Sequence, residues 1–467
     1  MTIVLGVDLA TADVRVQAFD VETGRALAAR RSPLEVTGTA GRRTQPARYG
    51  DLARGLIAAV ASDLGARARE VRALSVTGTS GTVVPVDAKG TPVSDAVLYD
   101  DPRGEPELRL LTAAGVGVRP SAALARAAWM HAALPAAHYV FTPDVVAAAL
   151  AGRLLPSDTS HALKSGIDPV AATWSDAALD AVGLPADVMP QLVGSGRIIG
   201  EVAFASALGL PAGVAIVSGM TDGSTGQLAT GAVAEGDTVG VLGTTLVLKA
   251  VSTRDVVDGS AGIYSHVAPD GLFWAGGASN TGAGVLRSGP TAGWDPAEHT
   301  PAIEAVGPSD AVSYPLARAG ERFPVSSTDF AGFIVDLAGT PRDQSDPIAR
   351  FRTIYEGVAF VERMGLERLR ELGVGEGRHH VAGGAAASEL WNRIRASALG
   401  RSVTVSAGAG SGRGAAVLAA YAIGSETLAA VAQRFAGSRS EVEPDAALTE
   451  SLEQRYRVFR AALAAAL

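Results

Sequence analysis

The chain has 467 residues, and its 48 acidic residues outnumber 40 basic ones, so the formal net charge at pH 7 is −8. Hydrophobic residues make up 47% and charged residues 19%, a composition typical of a globular protein with sizeable cores and unlike that of a disordered chain. The acidic balance without a dense arginine run disfavours a nucleic-acid-binding protein, and the absence of cysteine excludes disulfides, cysteine-ligated zinc and thiol nucleophiles.

The first half of the chain begins with a pattern typical of an antiparallel β-meander. Three segments with strand-like apolar patterns are separated by turns: 3–8, 14–20 and 26–31. A helical stripe at 50–67 and further strands at 71–76 and 214–217 follow. Three antiparallel strands that lead into alternating helices and strands predict a mixed α/β sheet with both faces covered.

The second half of the chain repeats this opening. A strand at 238–242, a turn at 243–245 and a second strand at 246–251 resemble the first hairpin, as two similar domains would. A long helical pattern runs over 347–372. We place the boundary between the two domains within 225–237.

The sequence lacks the motifs of several common catalytic sites. None of the three lysines lies in a Walker P-loop, no Gly-x-Gly-x-x-Gly motif opens a helix after the first strand, and no His-Glu-x-x-His motif occurs. The segment around Ser80 is similar to a nucleophile loop, but no His–Asp pair can be matched to it. A P-loop enzyme, a dinucleotide-binding enzyme and a serine hydrolase are therefore disfavoured.

Two carboxylates at predicted strand ends remain. Asp8 follows the first apolar strand, and Asp222 follows another within a Gly-Met-Thr-Asp-Gly-Ser segment. Each could cap the next helix, but glycines flank both acids, and the carboxyl ends of inner strands are where open α/β sheets bind ligands. Glycine permits close approach of the backbone to a phosphate, and two carboxylates there suit one magnesium anchor and one general base.

Seven short segments, in order along nearly the whole chain, carry a resemblance to a known family. They are two phosphate hairpins (5–11 and 241–245), a segment with a catalytic aspartate (219–226) and an aromatic-Asn-Asp-x-Arg segment (99–103). The others are a Gly-Glu-Arg signature (319–322), a Glu-Gly-Val-Ala-Phe helix (356–360) and an adenosine segment (383–391). Together they resemble the FGGY family of carbohydrate kinases, which has the actin/hexokinase/Hsp70 fold. Each segment alone is a weak signal, but the shared order is a strong one.

A closer resemblance is to the D-ribulokinase-type branch of this family. It rests on Thr-Gly-Thr-Ser at 77–80 and His-Ala-Leu-Lys at 161–164, where the branch carries Asp-Gly-Thr-Ser and Asn-Ala-Leu-Lys. Four positions depart from the pattern of the family or the branch: Ala10, Thr77, His161 and Ala385. The changes at residues 77 and 161 fall in the segments that mark the branch, so they leave the identity of the sugar open.

The resemblance implies two actin/hexokinase-like (ribonuclease H-like) α/β domains that face a central cleft. Residues 1–230 would form a sugar-binding domain and residues 231–467 a nucleotide-binding domain. Asp222 would act as the general base, and Asp8 and Asp222 would hold Mg²⁺, Asp8 through water. The residues implied for the sugar are Asp8, Ser80, Asp222, Thr77 and Lys164; those implied for ATP are Thr11, Gly243, Thr244, Thr245, Gly383, Gly384, Ser388 and Trp391. For Trp391, a place in the core is an equal alternative.

These residues predict an ATP-dependent kinase for a ketopentose, with D-ribulose first and D-xylulose next. Two alternatives stay open: a kinase for another sugar or polyol, and a catalytically inactive regulator, which the retention of Asp8 and Asp222 disfavours. The expected partners are the sugar and ATP, without nucleic acid or a membrane, and a homodimer is left open. Because Met1 leads directly into a strand pattern, with no charged leader and no transmembrane pattern in the chain, we expect a cytoplasmic protein.

Overall fold

A computed structural model describes residues 2–38, 42–117, 122–406 and 408–467. The chain forms two compact units. The first unit contains the chain up to Gly231 together with residues 266–271 and 410–435; the second contains residues 232–265, 272–409 and 436–467. The predicted boundary after residue 230 divides the sequence once and stays a prediction, whereas the observed packing returns the chain to the first unit twice.

The helices of the described residues are α1 Tyr49–Leu64, α2 Glu105–Ala113, α3 Ala123–Ala133, α4 Thr142–Ala151, α5 Thr159–Ala162, α6 Asp176–Ala181, α7 Asp222–Thr230, α8 Thr300–Ala305, α9 Pro347–Glu371, α10 Glu389–Leu399, α11 Ser411–Ile423, α12 Leu428–Phe435 and α13 Ala446–Ala466. In this part of the chain, no helix combines the length and the apolar character that crossing a bilayer requires.

The strands of the two main sheets are β1 Ile3–Leu9, β2 Asp13–Asp20, β3 Ala26–Pro33, β4 Val71–Gly78, β5 Ile198–Glu201, β6 Ala215–Val217, β7 Thr238–Leu242, β8 Leu246–Ser252, β9 Tyr264–Val267, β10 Phe273–Ala278, β11 His379–Ala382, β12 Val403–Ser406 and β13 Arg439–Val442. Short two-stranded sheets accompany them: Thr44–Gln45 with Ala96–Val97, Val84–Val86 with His138–Val140, Ser157–Asp158 with Leu192–Val193, Ile167–Asp168 with Thr173–Trp174, and Ala311–Tyr314 with Phe333–Asp336.

The sheet of the first unit has six strands in the order β5-β6-β4-β1-β2-β3. β1 pairs antiparallel with β2 and parallel with β4, which pairs parallel with β6. All seven residues of β1 are buried. Alternate side chains of β1, from Ile3 to Leu9, share a core with α1, while Gly6 on the opposite face meets α11. A strand covered on both faces explains the continuous apolar run at the start of the sequence.

Helix α11 packs so closely that glycine is required on both sides of the contact. A Cβ atom on Gly6 would lie 1.8 Å from the carbonyl oxygen of Gly412 in α11. A Cβ atom on Gly414 would lie equally close, 1.8 Å, to the carbonyl oxygen of Thr225 in α7. Helix α11 therefore lies directly against β1 and α7, the two elements that carry the predicted acids.

The second main sheet has seven strands in the order β9-β10-β8-β7-β11-β12-β13. Its centre repeats the pairing of the first sheet, since β7 pairs antiparallel with β8 and parallel with β11, and β11 pairs parallel with β12. The expectation that both halves of the chain begin with the same hairpin is confirmed. The long helix predicted at 347–372 is α9, which ends one residue earlier.

Helix α10 is held to α9 by a buried ion pair and to the second sheet by a hydrogen bond. Arg395 Nε and Nη2 donate to the two carboxylate oxygens of Glu362 at 2.7 and 2.6 Å, and Nη2 also donates to the carbonyl oxygen of Gly240 at 2.9 Å. His379 Nε2 lies 3.1 Å from Glu362 Oε1. Burial works to raise the pKa of Glu362, but Arg395 and these hydrogen bonds hold that pKa well below its ordinary value.

Replacing Arg395 with Met should lower the free energy of unfolding by about 3–5 kcal/mol, because Glu362 would remain as a buried charge without its partner. The matched control is Arg393→Met on the same helix. Arg393 pairs with Glu304 at 2.6 Å between side chains that are about half exposed, and such pairs contribute less than about 1 kcal/mol. Urea unfolding of the two variants measures both losses, and equal losses would contradict a stabilising role for the buried pair.

Candidate active site

Two carboxylates meet at the carboxyl edge of the first sheet. Asp8 lies near the end of β1, and Asp222 is the first residue of α7, which follows β6. An isolated bridge between Gly78 and Thr221 continues the sheet from β4 towards α7. Burial, and then the nearby charge of Asp222, raises the pKa of Asp8 to about 7. The structure thus brings together the two acids that the sequence singled out.

Asp8 has a cationic neighbour that the sequence analysis missed. Arg15 is opposite Asp8 in the register of β1 and β2, and its Nη1 lies 3.6 Å from Asp8 Oδ2. Arg15 also pairs with Asp13, at 2.8 Å between Nε and Oδ1. The Arg15 side chain is about half exposed, so its planar guanidinium is available to a phosphate. Only the register of the hairpin, which the alternation pattern does not fix, would have revealed it.

The surroundings of Asp8 fit a divalent cation. Asp8 is 4% exposed, and its Oδ1 has no hydrogen-bond partner among the described residues. A buried carboxylate oxygen without a donor, beside a second carboxylate, is a favourable ligand for a hard cation such as Mg²⁺. The described ranges contain no group of three or more His, Cys, Asp or Glu side chains that could hold a metal.

Asp222 is held by the start of its own helix and by α11. The backbone N–H of Gly223 donates to Asp222 Oδ1 at 2.7 Å. The Ser411 hydroxyl donates to the backbone oxygen of Asp222 at 3.2 Å. The side chain is half-buried. The Gly223 N–H orients the carboxylate, and Ser411 holds the backbone from which that carboxylate extends.

Thr77, predicted as a sugar-binding residue, is fully buried on β4. Its hydroxyl donates to the carbonyl oxygen of Met220 at 2.7 Å and shares a hydrogen bond of 2.9 Å with Thr225 Oγ1. These bonds tie β4 to the segment that precedes Asp222. Because the side chain is fully buried and its hydroxyl is bonded within the protein, the sugar-binding role of Thr77 stays a prediction.

Two other predicted residues and one unpredicted residue lie in the same unit. Ser80 follows β4, and its hydroxyl has no hydrogen-bond partner in the described ranges. Lys164 is half-buried in a 3₁₀ turn. Tyr99 forms a side-chain hydrogen bond with Thr11, and burial, then the charges of Asp100 and Asp222, raise the pKa of Tyr99. Tyr99 belongs to a recognised motif, but the sequence analysis did not place it in the site.

In the second unit, five of the eight predicted nucleotide residues line a cavity of about 880 Å³, a volume within the usual range for a ligand pocket. Its lining includes Gly243, Thr244, Gly384 and Ser388. Thr245 and Gly383 are not among the lining residues. Gly383 has a φ angle of +90°, and a Cβ atom there would lie 2.5 Å from the carbonyl oxygen of Leu242, so glycine is needed for packing.

Trp391 is buried in the core of the second unit and also lines the cavity, so its role toward the nucleotide stays a prediction. Its indole stacks on Tyr355 with 4.0 Å between ring centroids, and its N–H donates to the Tyr355 carbonyl oxygen at 3.1 Å. Trp391 is 2% exposed and also contributes to the cavity lining. Ser388 caps α10 by accepting the backbone N–H of Trp391 at 3.2 Å.

Comparison with known proteins identifies the family. Residues 3–229 match the N-terminal domain, and residues 238–423 the C-terminal domain, of the FGGY family of carbohydrate kinases. The chain belongs to this family. The predicted resemblance is confirmed, and so is the α/β fold with two actin/hexokinase-like domains of the FGGY kinases. The central cleft between the domains stays a prediction.

The relatives of this FGGY chain include several xylulose kinases. The xylulose kinase of Streptomyces rubiginosus is 29% identical over 279 residues, which cover 55% of this chain and 56% of the relative. The xylulose kinase of Bacillus subtilis is 22% identical over 494 residues, covering 98% and 96%. The crystal structure of a xyloylose kinase from Brucella ovis has a TM-score of 0.88 at 22% identity and covers 99% of both chains, which shows the fold. The alignment with the Streptomyces protein spans about half the length of that relative.

The Gly-Glu-Arg signature of the FGGY family has an internal role in this chain. Glu321 is buried and accepts hydrogen bonds from the Ser279 hydroxyl and the Asn280 backbone N–H, each at 2.6 Å. The Tyr314 hydroxyl donates to the same carboxylate at 2.9 Å. Because Ser279 and Asn280 follow β10, this FGGY signature fixes the loop after that strand.

Proposed function

We propose that this FGGY protein is an ATP-dependent carbohydrate kinase that phosphorylates a hydroxyl group of a ketopentose. The observation that carries the proposal is the meeting of Asp8 and Asp222 at one sheet edge, where the charge of Asp222 contributes to the raised pKa of Asp8. Phosphoryl transfer depends on positioning and on neutralising phosphate charge more than on covalent help from the protein. Asp222 beside Asp8 would position the reacting groups, and Arg15 together with Mg²⁺ held by the acids would neutralise the phosphate charge.

In the proposed reaction, Asp222 accepts the proton of the sugar hydroxyl as that oxygen bonds to the γ-phosphorus. The bond from this phosphorus to the bridging oxygen breaks, and ADP leaves. The Gly223 N–H orients the Asp222 carboxylate for this step, and the Ser411 hydroxyl holds the backbone of Asp222. Magnesium bound by Asp8, with Asp222 nearby, would supply positive charge to the phosphate oxygens. Arg15 adds a guanidinium beside Asp8, within reach of the same phosphate.

The nucleotide would bind in the 880 Å³ cavity of the second unit. The turn at Gly243 and Thr244 presents a backbone without bulky side chains to the phosphates. Gly384 and Ser388 line the cavity and would lie along the adenosine. Transfer then requires the γ-phosphate to reach the acids of the first unit.

The identity of the ketopentose is a separate part of the proposal. The resemblance to the D-ribulokinase-type branch favours D-ribulose, while relatives named xylulose kinase favour D-xylulose equally. Both are ketopentoses. The buried Thr77 and His161 differ from the branch pattern in segments at the sheet edge, so neither sugar follows from the branch resemblance alone.

A screen of ADP release in a coupled assay tests the proposal, with the Asp222→Asn variant as the inactive control. We expect a ketopentose to give the highest kcat/KM, at least tenfold above aldopentoses, gluconate and polyols. A polyol or gluconate at the top of the ranking would show a kinase of different specificity. ATP binding without turnover of any sugar would support the inactive regulator instead.

A further inference from the structure

A buried loop packs against the end of β4 and the start of α7, and none of its residues has a role in the proposed reaction. It comprises residues 157–162, where Ser157–Asp158 leads into the short helix α5. Asp158 and His161 are almost completely buried, at 3% and 0% side-chain exposure. His161 Nδ1 donates to Asp158 Oδ2 at 2.7 Å, and its Nε2 donates to the carbonyl oxygen of Gly78 at 3.2 Å. The ring therefore connects the loop to the end of β4.

The partners of His161 decide its charge. A carboxylate oxygen and a backbone carbonyl oxygen both only accept, so both ring nitrogens must carry hydrogen and the ring is an imidazolium. Burial works against that charge, but the attraction of Asp158 and Asp144 and the hydrogen bonds outweigh it, so the pKa of His161 is raised. The Phe141 ring, 5.8 Å away between centroids, packs against the same imidazole.

The same loop also holds the start of α7. The Thr221 backbone N–H donates to Ser160 Oγ at 3.1 Å, and Thr221 is the N-cap residue directly before Asp222. The Ser160 hydroxyl lies 3.0 Å from His266 Nδ1 as well. Residues 160 and 161 thus bind two segments that meet each other at the bridge between Gly78 and Thr221.

The end of β4 and the segment before α7 pack closely against each other. A Cβ atom on Gly219 would lie 1.9 Å from the carbonyl oxygen of Val76 on β4, and the Thr77 hydroxyl bonds to Met220. A shift of the strand end is therefore transmitted to residues 219–222. Since Asp222 reacts only at hydrogen-bonding distance from the sugar hydroxyl, small shifts would impair proton transfer.

We propose that Asp158, Ser160 and His161 are positioning residues that set the location of Asp222 through Gly78 and Thr221. The inference rests on the proposed kinase function for its kinetic consequence. His161 acts on the end of β4, Ser160 acts on the N-cap of α7, and Asp158 keeps His161 doubly protonated and oriented. None of the three is required to contact substrate.

The first test is His161→Asn, whose shorter neutral side chain cannot span from Asp158 to Gly78. We expect kcat to fall at least tenfold while the KM for ATP stays within twofold, because the residues that line the proposed nucleotide cavity belong to the other unit. The matched control is Tyr139→Phe in the same unit, which removes a buried hydroxyl that donates to Leu134 at 3.0 Å. Its kcat should stay within twofold of wild type. An equal kcat for the two variants, below both melting transitions, would overturn the proposal.

The pH profile distinguishes positioning from general destabilisation. The charged ring faces Asp158 on its own loop, Asp144 on α4 and the Gly78 carbonyl oxygen on β4. As pH rises through the raised pKa, the ring loses one hydrogen bond, so the kcat of the wild type should decline on the alkaline side. The His161→Asn variant should lack this decline, and an unchanged decline in that variant would contradict the proposal.

Hydrogen exchange gives a readout that does not depend on catalysis. Peptides that cover residues 219–230 should exchange faster in His161→Asn and in Ser160→Ala than in wild type and Tyr139→Phe. Ser160→Ala provides the result if His161→Asn does not fold. Unchanged exchange in this segment would overturn the positioning role. If the two variants exchange faster but the wild-type protein turns over no sugar with ATP, the positioning role stands and the kinase proposal is refuted instead.

Discussion

Replacing Asp222 with Asn is expected to lower kcat by about 100- to 10,000-fold, the usual contribution of a general base. That range corresponds to roughly 3–5 kcal/mol of activation free energy at 1.36 kcal/mol per tenfold. Asparagine keeps the shape of the side chain and can still accept the hydrogen bond from Gly223, but it cannot take up the proton of the sugar hydroxyl. Binding of sugar and ATP should therefore remain close to wild type.

The measurement is kcat at saturating ATP and sugar, with binding followed separately by calorimetry. Asp176→Asn is the matched control, because Asp176 is also the first residue of a helix, α6, in the same unit. Its kcat should stay within threefold of wild type. If Asp222→Asn also stays within threefold, less than about 1 kcal/mol, then Asp222 is not the base and the mechanism must be rebuilt around another acid, Asp8 first.

Replacing Asp8 with Asn should instead change the requirement for magnesium. We expect activity at low magnesium to fall by about tenfold or more and to recover partly as magnesium is raised, because a neutral amide is a weaker ligand for a hard cation than a carboxylate. Burial and the charge of Asp222 raise the pKa of Asp8 to about 7. In the wild type, apparent magnesium affinity should therefore increase as pH rises through 7, and in Asp8→Asn this increase should be smaller.

The raised pKa of Asp8 also affects stability in the absence of metal. Between the ordinary pKa of 3.8 and about 7, the folded state binds more protons at residue 8 than the unfolded state, so stability decreases as pH rises across this window. Asp8→Asn should remove that part of the decrease. Asp20→Asn serves as the control, since Asp20 is also buried but lies at the other end of the β1–β2 hairpin.

Equal magnesium dependence in Asp8→Asn and wild type, over a series at pH 6, 7 and 8, would contradict the role of Asp8 in binding magnesium.

Much of the fold follows from local patterns in the sequence. The hairpin of β1 and β2 and the 25 residues of α9 have apolar periodicities long enough to identify each element. The end of α1 was placed three residues too late, at 67, because Gly65 with a φ angle of +56° ends the helix at Leu64. A glycine near the end of a helical pattern is a known stop signal, and the amphipathic stripe concealed it.

The candidate site was predicted only as far as strand ends indicate it. Asp8 and Asp222 were found because parallel strands bring their carboxyl ends to one edge. Arg15 and Tyr99 were missed, because a half-exposed arginine on a strand and a tyrosine in a loop look like ordinary surface residues until pairing and packing are known. The burial of Thr77 was equally hidden, since its partners at 220 and 225 are more than 140 residues away in sequence.

The return of α11 to the first unit has a consequence for the synthesis of the chain. On the ribosome, β1 emerges before α11, and the helix that fits against Gly6 is complete only after residue 423 has been added. Until then the face of the strand that carries Asp8 lacks its cover, and the carbonyl oxygen of Thr225 lacks the close neighbour Gly414. A fragment that stops at Gly231 would expose this apolar surface to water and to other nascent chains. The first unit is therefore the earlier one to begin folding and among the last parts of the protein to be completed.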